Sequence, residues 1–227
     1  MGNFAIAEPP VVTLPVRSMK PFPVRRIYCA GRNYAEHVKE MGGDVREKPY
    51  FFMKPADALL PSGKRMPYPP ATSDLHHEVE LVVALQGGGS NIPPEKAGEL
   101  IFGYAVGLDM TRRDLQKAFK AKGQPWEMSK AFDFSAPCGT LTPAAECGLL
   151  TKGKITCAVN GKLRQSGDLG EMTWNIAELV SELSKLVAVA PGDLIFTGTP
   201  AGVGPVVRGD RIEARIDGLE PLLVEID

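Results

Sequence analysis

The stretch HHEVELVVAL, residues 76–85, is the strongest β-strand pattern in the chain, and it ends at the three glycines 87–89. Residues 78–85 predict a strand whose nearly continuous apolar run is typical of a strand covered on both faces. Glu78 and Glu80 interrupt this run two residues apart, so their side chains leave the same face, about 6–7 Å apart along the backbone. The sequence therefore predicts a strand, covered on both faces, that carries two carboxylates on one side.

A second apolar strand is predicted at residues 101–109, IFGYAVGLD, and it ends in Asp109. If the two strands are neighbours, the three carboxylates reach one point. Buried carboxylates repel each other and lose hydration, which is costly unless a cation compensates. Such a set of hard oxygen ligands suits Mg²⁺ or Mn²⁺, and also Ca²⁺, rather than zinc. The alternative is that Glu78 and Glu80 face solvent on an edge strand and pair with lysines, and their spacing does not decide between the two.

The two histidines that precede Glu78 add little to this pattern. Adjacent residues of a strand point to opposite faces, so His76 and His77 cannot both face the carboxylates. Either one is a supporting group behind a metal ligand or simply the residue at which the strand begins.

Short strands outnumber helices along the rest of the chain. The pair Asn160-Gly161 predicts a type I′ hairpin between residues 154–159 and 162–165. Strands and helices do not alternate regularly, which disfavours a doubly wound parallel fold. The further predicted strands are 25–30, 50–54, 194–197 and 211–224, and the predicted helices are 33–41, 93–100, 111–122 and 173–187.

Composition limits the class of protein. The 227 residues are enough for one sizeable core, and the net charge of −1 makes nucleic acid a poor partner. No apolar run approaches the roughly 18 residues of a membrane span. The four cysteines form no CxxC pair and no signal-peptide pattern is present, so we expect a cytoplasmic protein. Residues 1–24 are predicted to be an extended arm or edge strand before a single domain at 25–227.

The segment NYAEHVKEM, residues 33–41, predicts a short helix. His37 and Glu40 lie one turn apart on one flank of that helix, so an imidazole and a carboxylate come within hydrogen-bonding distance. Such a pair can deprotonate water. The alternative, an ordinary amphipathic helix with a weak His–Glu contact, is favoured by the pattern alone.

Two further segments carry candidate residues. Lys130 lies in PWEMSKAFDFSAP, residues 125–137, which is too aromatic for a solvated charge run. It is either an anion ligand, a base or an exposed lysine. The segment TGTPAGVG, residues 197–204, follows a strand but lacks the Gly-Lys-Ser/Thr ending of a phosphate loop, so we reject nucleotide binding. Its backbone N–H groups and the Thr199 hydroxyl could still contact an anionic substrate.

Taken together, the chain resembles the short form of the fumarylacetoacetate hydrolase family. Within that family it is most similar to acylpyruvate and fumarylpyruvate hydrolases and to oxaloacetate decarboxylases. The segments that carry the resemblance occur in the family's order from about residue 25 onward. They are YCAGRNYAEHVKEMG (28–42), KPYFFMKPADALLP (48–61), HHEVELVVAL (76–85), GYAVGLDMTRRDLQ (103–116), PWEMSKAFDFSAP (125–137) and FTGTPAGVGPV (196–206).

The resemblance implies an α+β, β-rich fold, a single domain of layered, mixed β-sheet resembling a β-roll with a few peripheral helices, and a homodimer. It implies that Glu78, Glu80 and Asp109 bind Mg²⁺ or Mn²⁺. It further implies that His37 and Glu40 are the water-activating pair on a lid helix.

The same resemblance assigns the remaining site residues. Lys130 would hold the negative charge of the substrate, and Arg32, Gln116 and Thr199 would contact the substrate. Two features depart from the family pattern. Residues 1–24 are too short for the additional N-terminal domain of the long fumarylacetoacetases, and Ala131 and Thr140 replace the glycine and proline expected near Lys130.

The expected activity is metal-assisted hydrolysis of a 2,4-dioxo acid, such as fumarylpyruvate, to pyruvate and a second acid in aromatic catabolism. Decarboxylation of oxaloacetate is the nearest alternative, because it needs the same ligands but no attacking water. An isomerase or hydratase of a 2-oxo dioic acid would share the metal ligands. A non-catalytic protein that binds a metal or a 2-oxo acid is the alternative from a different class.

Overall fold

The computed structural model of the protein describes residues 5–34 and 47–227. Over these ranges the chain forms many short strands and few helices, which confirms the α+β, β-rich fold class. The strands in chain order are β1 (Thr13–Leu14), β2 (Phe22–Pro23), β3 (Arg26–Gly31), β4 (Tyr50–Lys54), β5 (Leu59–Pro61), β6 (Arg65–Met66), β7 (Leu75–His77), β8 (Val79–Leu85), β9 (Ile101–Leu108), β10 (Thr111–Arg112), β11 (Ala136–Cys138), β12 (Thr142–Pro143), β13 (Lys154–Val159), β14 (Lys162–Asp168), β15 (Asp193–Phe196), β16 (Gly204–Val206), β17 (Arg211–Ile216) and β18 (Leu222–Ile226).

The helices surround the strands and are short. Over the described ranges, none of them is long and apolar enough to cross a lipid bilayer. The helices are α1 (Pro94–Ala97), α2 (Arg113–Ala121), α3 (Ala144–Cys147) and α4 (Ile176–Leu186), and 3₁₀ turns cover Ala56–Ala58, Gly98–Leu100, Glu127–Ser129 and Leu169–Glu171.

The largest sheet has the strand order β4-β3-β15-β8-β9-β11-β5, with β12 paired beside β9. Strand β15 is parallel to β3 but antiparallel to β8, and β11 is parallel to β5 but antiparallel to β9. The sheet is therefore mixed. Strand β8 lies at its centre, and all seven of its residues are buried, as the apolar run at 79–85 predicted.

Alternate side chains of β8 enter two different hydrophobic cores. Leu81 and Val83 belong to a cluster that includes residues of β13 and β17 from a second sheet with the order β14-β13-β17-β18-β6. Val82 and Ala84 belong to a cluster on the opposite face. This layering explains why the strand lacks the polar alternation of a half-exposed sheet.

The N-terminal residues cover that opposite face. Strands β1 and β2 pair with each other in antiparallel register, and Leu14 and Phe22 are buried against the large sheet. The arm predicted at residues 1–24 is thus extended in its described part, but it does not add an edge strand to the large sheet.

Local sequence explains the hairpin and the longest helix. Asn160 and Gly161 have φ values of 52° and 75°, as a type I′ turn requires, so the hairpin prediction is confirmed. Helix α4 begins at Ile176 rather than at residue 173. The side chain of Asn175 accepts a hydrogen bond from the Glu178 N–H at 3.0 Å, and Glu178 accepts one from the Asn175 N–H at 2.9 Å. This capping box fixes the first residue of the helix.

Two other helix predictions begin at the wrong residue. Residues 111–112 form β10, which pairs with β7, and helix α2 follows from Arg113. Asn33 is not helical, and Tyr34 forms an isolated β-bridge with Met172. The rest of the predicted helix 33–41, including His37 and Glu40, lies outside the described residues.

Gly107 is the residue of β9 that lies opposite Glu80 in β8. A Cβ atom at this position would lie 2.5 Å from Val82 Cγ2 and 2.7 Å from Phe196 Cε1. We expect Gly107→Ala to lower the free energy of unfolding by about 1–3 kcal/mol, because the core around it is already filled. Denaturant unfolding in the presence of EDTA measures this without any contribution from metal binding.

Gly139→Ala is the matched control, because a Cβ atom there would meet its nearest neighbour, Val106 O, at an ordinary 3.4 Å. Equal losses of stability in the two variants would contradict the close packing of Gly107.

Candidate metal centre and substrate pocket

Three buried carboxylates meet where β8 and β9 lie side by side. Glu80 lies in β8, Glu78 occupies the break between β7 and β8, and Asp109 directly follows β9. The antiparallel register and a 2.8 Å hydrogen bond from the Asp109 N–H to Glu78 O hold the three residues together. One oxygen of each carboxylate lies within 4.8 Å of one oxygen of each of the others, and the exposed fractions are only 6%, 2% and 1% for Glu78, Glu80 and Asp109. We call this group the acidic triad.

Cationic side chains neutralise two members of the acidic triad. Lys130 Nζ donates to Glu78 Oε2 at 2.8 Å and to Asp109 Oδ2 at 2.6 Å. Arg113 forms a second ion pair with Glu78, and Lys54 Nζ lies 2.8 Å from Asp109 Oδ1. Isolated buried carboxylates would cost several kcal/mol each, so these cations are a condition for the cluster to exist.

Glu80 differs from the other two carboxylates. Over the described part of the chain it has no ion pair, and its Oε2 accepts a hydrogen bond from the Gly198 N–H at 2.8 Å. Burial and the negative charges of Asp109 and Glu78 raise the pKa of Glu80 well above its usual range. A further cation beside Glu80 would reverse that effect, because it would stabilise the charged carboxylate.

Ion pairs have the opposite effect on Glu78 and Lys130. Burial alone would raise the pKa of Glu78, but the positive charges of Lys130 and Arg113 hold it well below its usual range. Burial alone would lower the pKa of Lys130, but Asp109 and Glu78 raise it. Lys130 is therefore protonated at neutral pH and suited to hold negative charge, and it is not suited to act as a base.

The donor set of the acidic triad fits a divalent metal ion. All three ligands are carboxylate oxygens, which Mg²⁺, Mn²⁺ and Ca²⁺ prefer. Among the described residues Glu80 has no ion pair, so an added cation would find a carboxylate with which to pair. The alternative that Glu78 and Glu80 face solvent on an edge strand is wrong, because β8 is a central strand and both carboxylates are buried.

A cavity of about 350 Å³ contains the acidic triad and Lys130. Arg32, Gln116 and Thr199, the three residues predicted to contact a substrate, line the same cavity. The structure thus brings together these predicted site residues from five separate segments of the chain. His37 and Glu40 lie outside the described residues, so their positions relative to the cavity stay a prediction.

Arg113 and Lys54 are site residues that the sequence analysis missed. Arg113 pairs with Glu78 and also donates to Gln116 Oε1 at 2.5 Å, one turn further along α2. The spacing of Arg113 and Gln116 by three residues was a signal for this contact. Lys54 ends β4 and is buried because its ammonium group lies between Asp109 and the Met110 carbonyl, which are far from it in the sequence.

Three aromatic side chains, Tyr50, Phe52 and Trp126, line another side of the cavity and are called the aromatic wall. The ring of Trp126 lies 5.1 Å from that of Phe52 and 6.3 Å from that of Tyr50, both edge-on. Tyr50 covers Gly31 so closely that a Cβ atom there would lie 2.1 Å from Tyr50 Cζ. A larger residue at position 31 would therefore displace the ring of Tyr50 from its place in the aromatic wall.

The turn after β15 supplies the remaining contacts. Gly198 has a φ of 95°, and a Cβ atom there would lie 2.7 Å from Asn33 Cβ. The Asn33 side-chain amide donates to Thr197 O at 2.8 Å and to Trp174 O at 2.9 Å. These bonds fix the turn so that the Gly198 N–H points at Glu80.

The two histidines point to opposite faces, as the strand pattern predicted. His76 Nε2 lies 2.8 Å from Asp74 Oδ1, and His77 Nδ1 lies 2.9 Å from Gln165 Oε1. Both are thus engaged by side chains outside the acidic triad.

Comparison with known proteins gives the same family as the sequence resemblance, over nearly the whole chain. Residues 26–226 match the model of the fumarylacetoacetate (FAA) hydrolase C-terminal family. The crystal structure of fumarylpyruvate hydrolase from Pseudomonas aeruginosa in complex with Mn²⁺ and pyruvate is similar with a TM-score of 0.96 and 50% identity, covering 99% of each chain.

Two curated relatives carry different activities. Fumarylpyruvate hydrolase of a Ralstonia species is 41% identical, over 79% of this chain and 93% of its own length. The oxaloacetate tautomerase FAHD1 of Homo sapiens, a mitochondrial protein, is also 41% identical, over 89% of this chain and 92% of its own. Since the family model spans nearly the whole chain and these relatives are covered almost end to end, the protein belongs to the fumarylacetoacetate hydrolase family.

Proposed function

We propose that this protein is a metal-dependent hydrolase that cleaves the C3–C4 bond of an acylpyruvate, a 2,4-dioxo acid, to pyruvate and a second carboxylic acid. One observation carries the proposal: a single cavity contains the acidic triad, Lys130 and the aromatic wall. The identity of 41% and 50% to two fumarylpyruvate hydrolases supports it, as does the complex of one of them with Mn²⁺ and pyruvate.

Glu78, Glu80 and Asp109 would hold Mg²⁺ or Mn²⁺, and Ca²⁺ satisfies the same ligand chemistry. The bound ion would supply positive charge beside the 2-oxo group and so favour the negative charge that develops there during cleavage. Lys130 adds a second positive charge, since Asp109 and Glu78 raise its pKa. Arg32, Gln116 and Thr199 bind and orient the 2-oxo acid from the walls of the cavity.

His37, oriented by Glu40, takes a proton from a water molecule, and the water oxygen bonds to C4 of the substrate. The C3–C4 bond then breaks, and its electron pair stays with the pyruvate fragment. That fragment takes up at C3 the proton that His37 removed, so water is consumed and the atoms balance. The assignment of these two residues rests on their spacing in the sequence and on the family resemblance.

The aromatic wall favours a flat, conjugated acyl group such as fumaryl. Tyr50, Phe52 and Trp126 present ring surfaces on which a planar chain can pack. Oxaloacetate has only four carbons and offers no extended planar chain to pack on these rings. Fumarylpyruvate is therefore the substrate that we propose.

Oxaloacetate tautomerisation or decarboxylation is the second candidate function. It is supported by the relatives from Homo sapiens, named oxaloacetate tautomerase, and from Dictyostelium discoideum, named oxaloacetate decarboxylase. These reactions need the acidic triad and Lys130 but no attacking water. An isomerase or hydratase would use the same ligands, and a protein that only binds a 2-oxo acid would need neither His37 nor Glu40. The domain limits 25–227, the homodimer, the role in aromatic catabolism and the cytoplasmic location stay predictions.

Glu80→Gln tests the metal site. The amide keeps the size of the side chain but cannot carry the negative charge that would bind the ion, so we expect Mn²⁺ affinity to fall by at least tenfold. Isothermal titration calorimetry on the chelator-treated protein measures the affinity. Glu99→Gln, at an exposed glutamate outside the cavity, is the control, and unchanged affinity in Glu80→Gln would reject the site.

His37→Ala tests water activation. We expect hydrolysis of fumarylpyruvate to slow by about 10²–10⁴-fold, the usual contribution of a general base, while Mn²⁺ affinity is unchanged. Lys39→Ala removes another long side chain from the same segment and should leave the turnover number unaltered. Full hydrolytic activity of His37→Ala would exclude the proposed base.

Trp126→Ala tests the aromatic wall. We expect KM for fumarylpyruvate to rise about tenfold, which corresponds to about 1.4 kcal/mol of lost contact. KM for acetylpyruvate should change little, because a methyl group does not reach along the wall. Equal increases of KM for both substrates would mean that Trp126 does not contact the acyl group.

A further inference from the structure

Gln165 is a fully buried polar residue in β14, a strand whose neighbouring residues are exposed. It belongs to the second sheet, but its side chain reaches the turn after β15. Its Oε1 lies 2.9 Å from His77 Nδ1 and 3.1 Å from the N–H of Val79, the residue between Glu78 and Glu80. Its Nε2 donates to Thr199 Oγ1 at 2.8 Å and to Pro200 O at 2.9 Å. All four hydrogen-bonding positions of the amide are thus used.

Two backbone groups fix the orientation of this amide. The Val79 N–H can only donate, so the atom that faces it must be the oxygen. The carbonyl of Pro200 can only accept, so the atom that faces it must be the nitrogen. The Gln165 amide therefore cannot flip, and His77 must carry its proton on Nδ1.

The fixed amide determines what Thr199 offers to the cavity. A hydroxyl has one proton to donate and two lone pairs. Because Thr199 Oγ1 already accepts from Gln165 Nε2, its own proton points away from Gln165. Thr199 is only 3% exposed and lines the cavity beside the acidic triad, so that proton is available to a ligand bound there.

We propose that Gln165 is a positioning residue that makes Thr199 a hydrogen-bond donor to the anionic end of the substrate. The inference rests on the proposed function, in that the ligand is a 2-oxo acid with a carboxylate. Gln165 does not touch the ligand. It acts through Thr199, and its bond to the Val79 N–H ties the same hydrogen-bond chain to the strand that carries Glu80.

The test is a double-mutant cycle of Gln165→Glu and Thr199→Val. A glutamate side chain in place of Gln165 accepts the proton of Thr199 and so withdraws it from the cavity. Valine keeps the shape of threonine and removes the hydroxyl. The probe is oxalate, which carries two adjacent carboxylates, titrated calorimetrically into the Mn²⁺-loaded protein. Mn²⁺ affinity is measured separately for each variant.

We expect each single variant to bind oxalate about tenfold or more weakly, as for the loss of a hydrogen bond to a charged group. The double variant should bind no more weakly than Thr199→Val, because Gln165 acts only through the hydroxyl. KM for the acylpyruvate should rise with kcat changed less than about twofold, since the contact lies at the non-reacting end. Thr199→Ser should restore oxalate binding, and Gln124→Glu, at an exposed glutamine, is the control for the charge change.

Additive losses in the double variant would overturn the proposal, since they would mean that Gln165 only maintains the structure. Unchanged oxalate affinity in Thr199→Val with Mn²⁺ affinity intact would overturn it while leaving the metal site in place. A wild-type protein that binds Mn²⁺ but not oxalate would refute the proposed 2-oxo acid and this inference together. If Gln165→Glu does not fold, Gln165→Met removes both donors without adding charge, and the same loss of additivity is required of it.

Discussion

Three carboxylates within 5 Å of one another, with almost no access to water, form the constraint on which the rest of this structure depends. Their mutual repulsion must be balanced, and Lys130, Arg113 and Lys54 supply that balance from three different elements. The central position of β8 forces the carboxylates into the interior. Burial is therefore the reason why the carboxylates need cationic partners. It also strengthens the attraction between each carboxylate and a bound cation.

The sequence predicted the anionic half of the site because that half is local. A strand has a period of two residues, so an apolar run with carboxylates two residues apart already indicates a shared face, and Asp109 ends the next strand in the chain. The cationic half is not local. Lys130 lies 52 residues from Glu78, and Gln165 lies 86 residues from Val79. No periodicity connects such residues, and Lys130 became a candidate only through its aromatic surroundings and the family resemblance.

Secondary structure was likewise predictable where its signals are local in the sequence. The Asn160-Gly161 turn and the apolar strands β8 and β9 were predictable because their signals lie within the elements themselves. The helix predicted from Asn33 was wrong at its start, because the Asn33 side chain holds the backbone of Thr197 and Trp174 in place. Strands of two or three residues, such as β7 and β10, are too short to leave a pattern and are defined by their partners.

The aromatic wall stands on different parts of the fold from the acidic triad. Tyr50 and Phe52 belong to β4, which is the terminal strand of the large sheet, and Trp126 precedes a 3₁₀ turn. The triad belongs to the sheet's centre, where almost any exchange disturbs two cores. Exchange of Tyr50 or Phe52 would therefore reshape the cavity wall without replacing a carboxylate of the triad, as long as Lys54 at the end of β4 is kept. In this way the aromatic residues of the cavity can change while the three carboxylates stay the same.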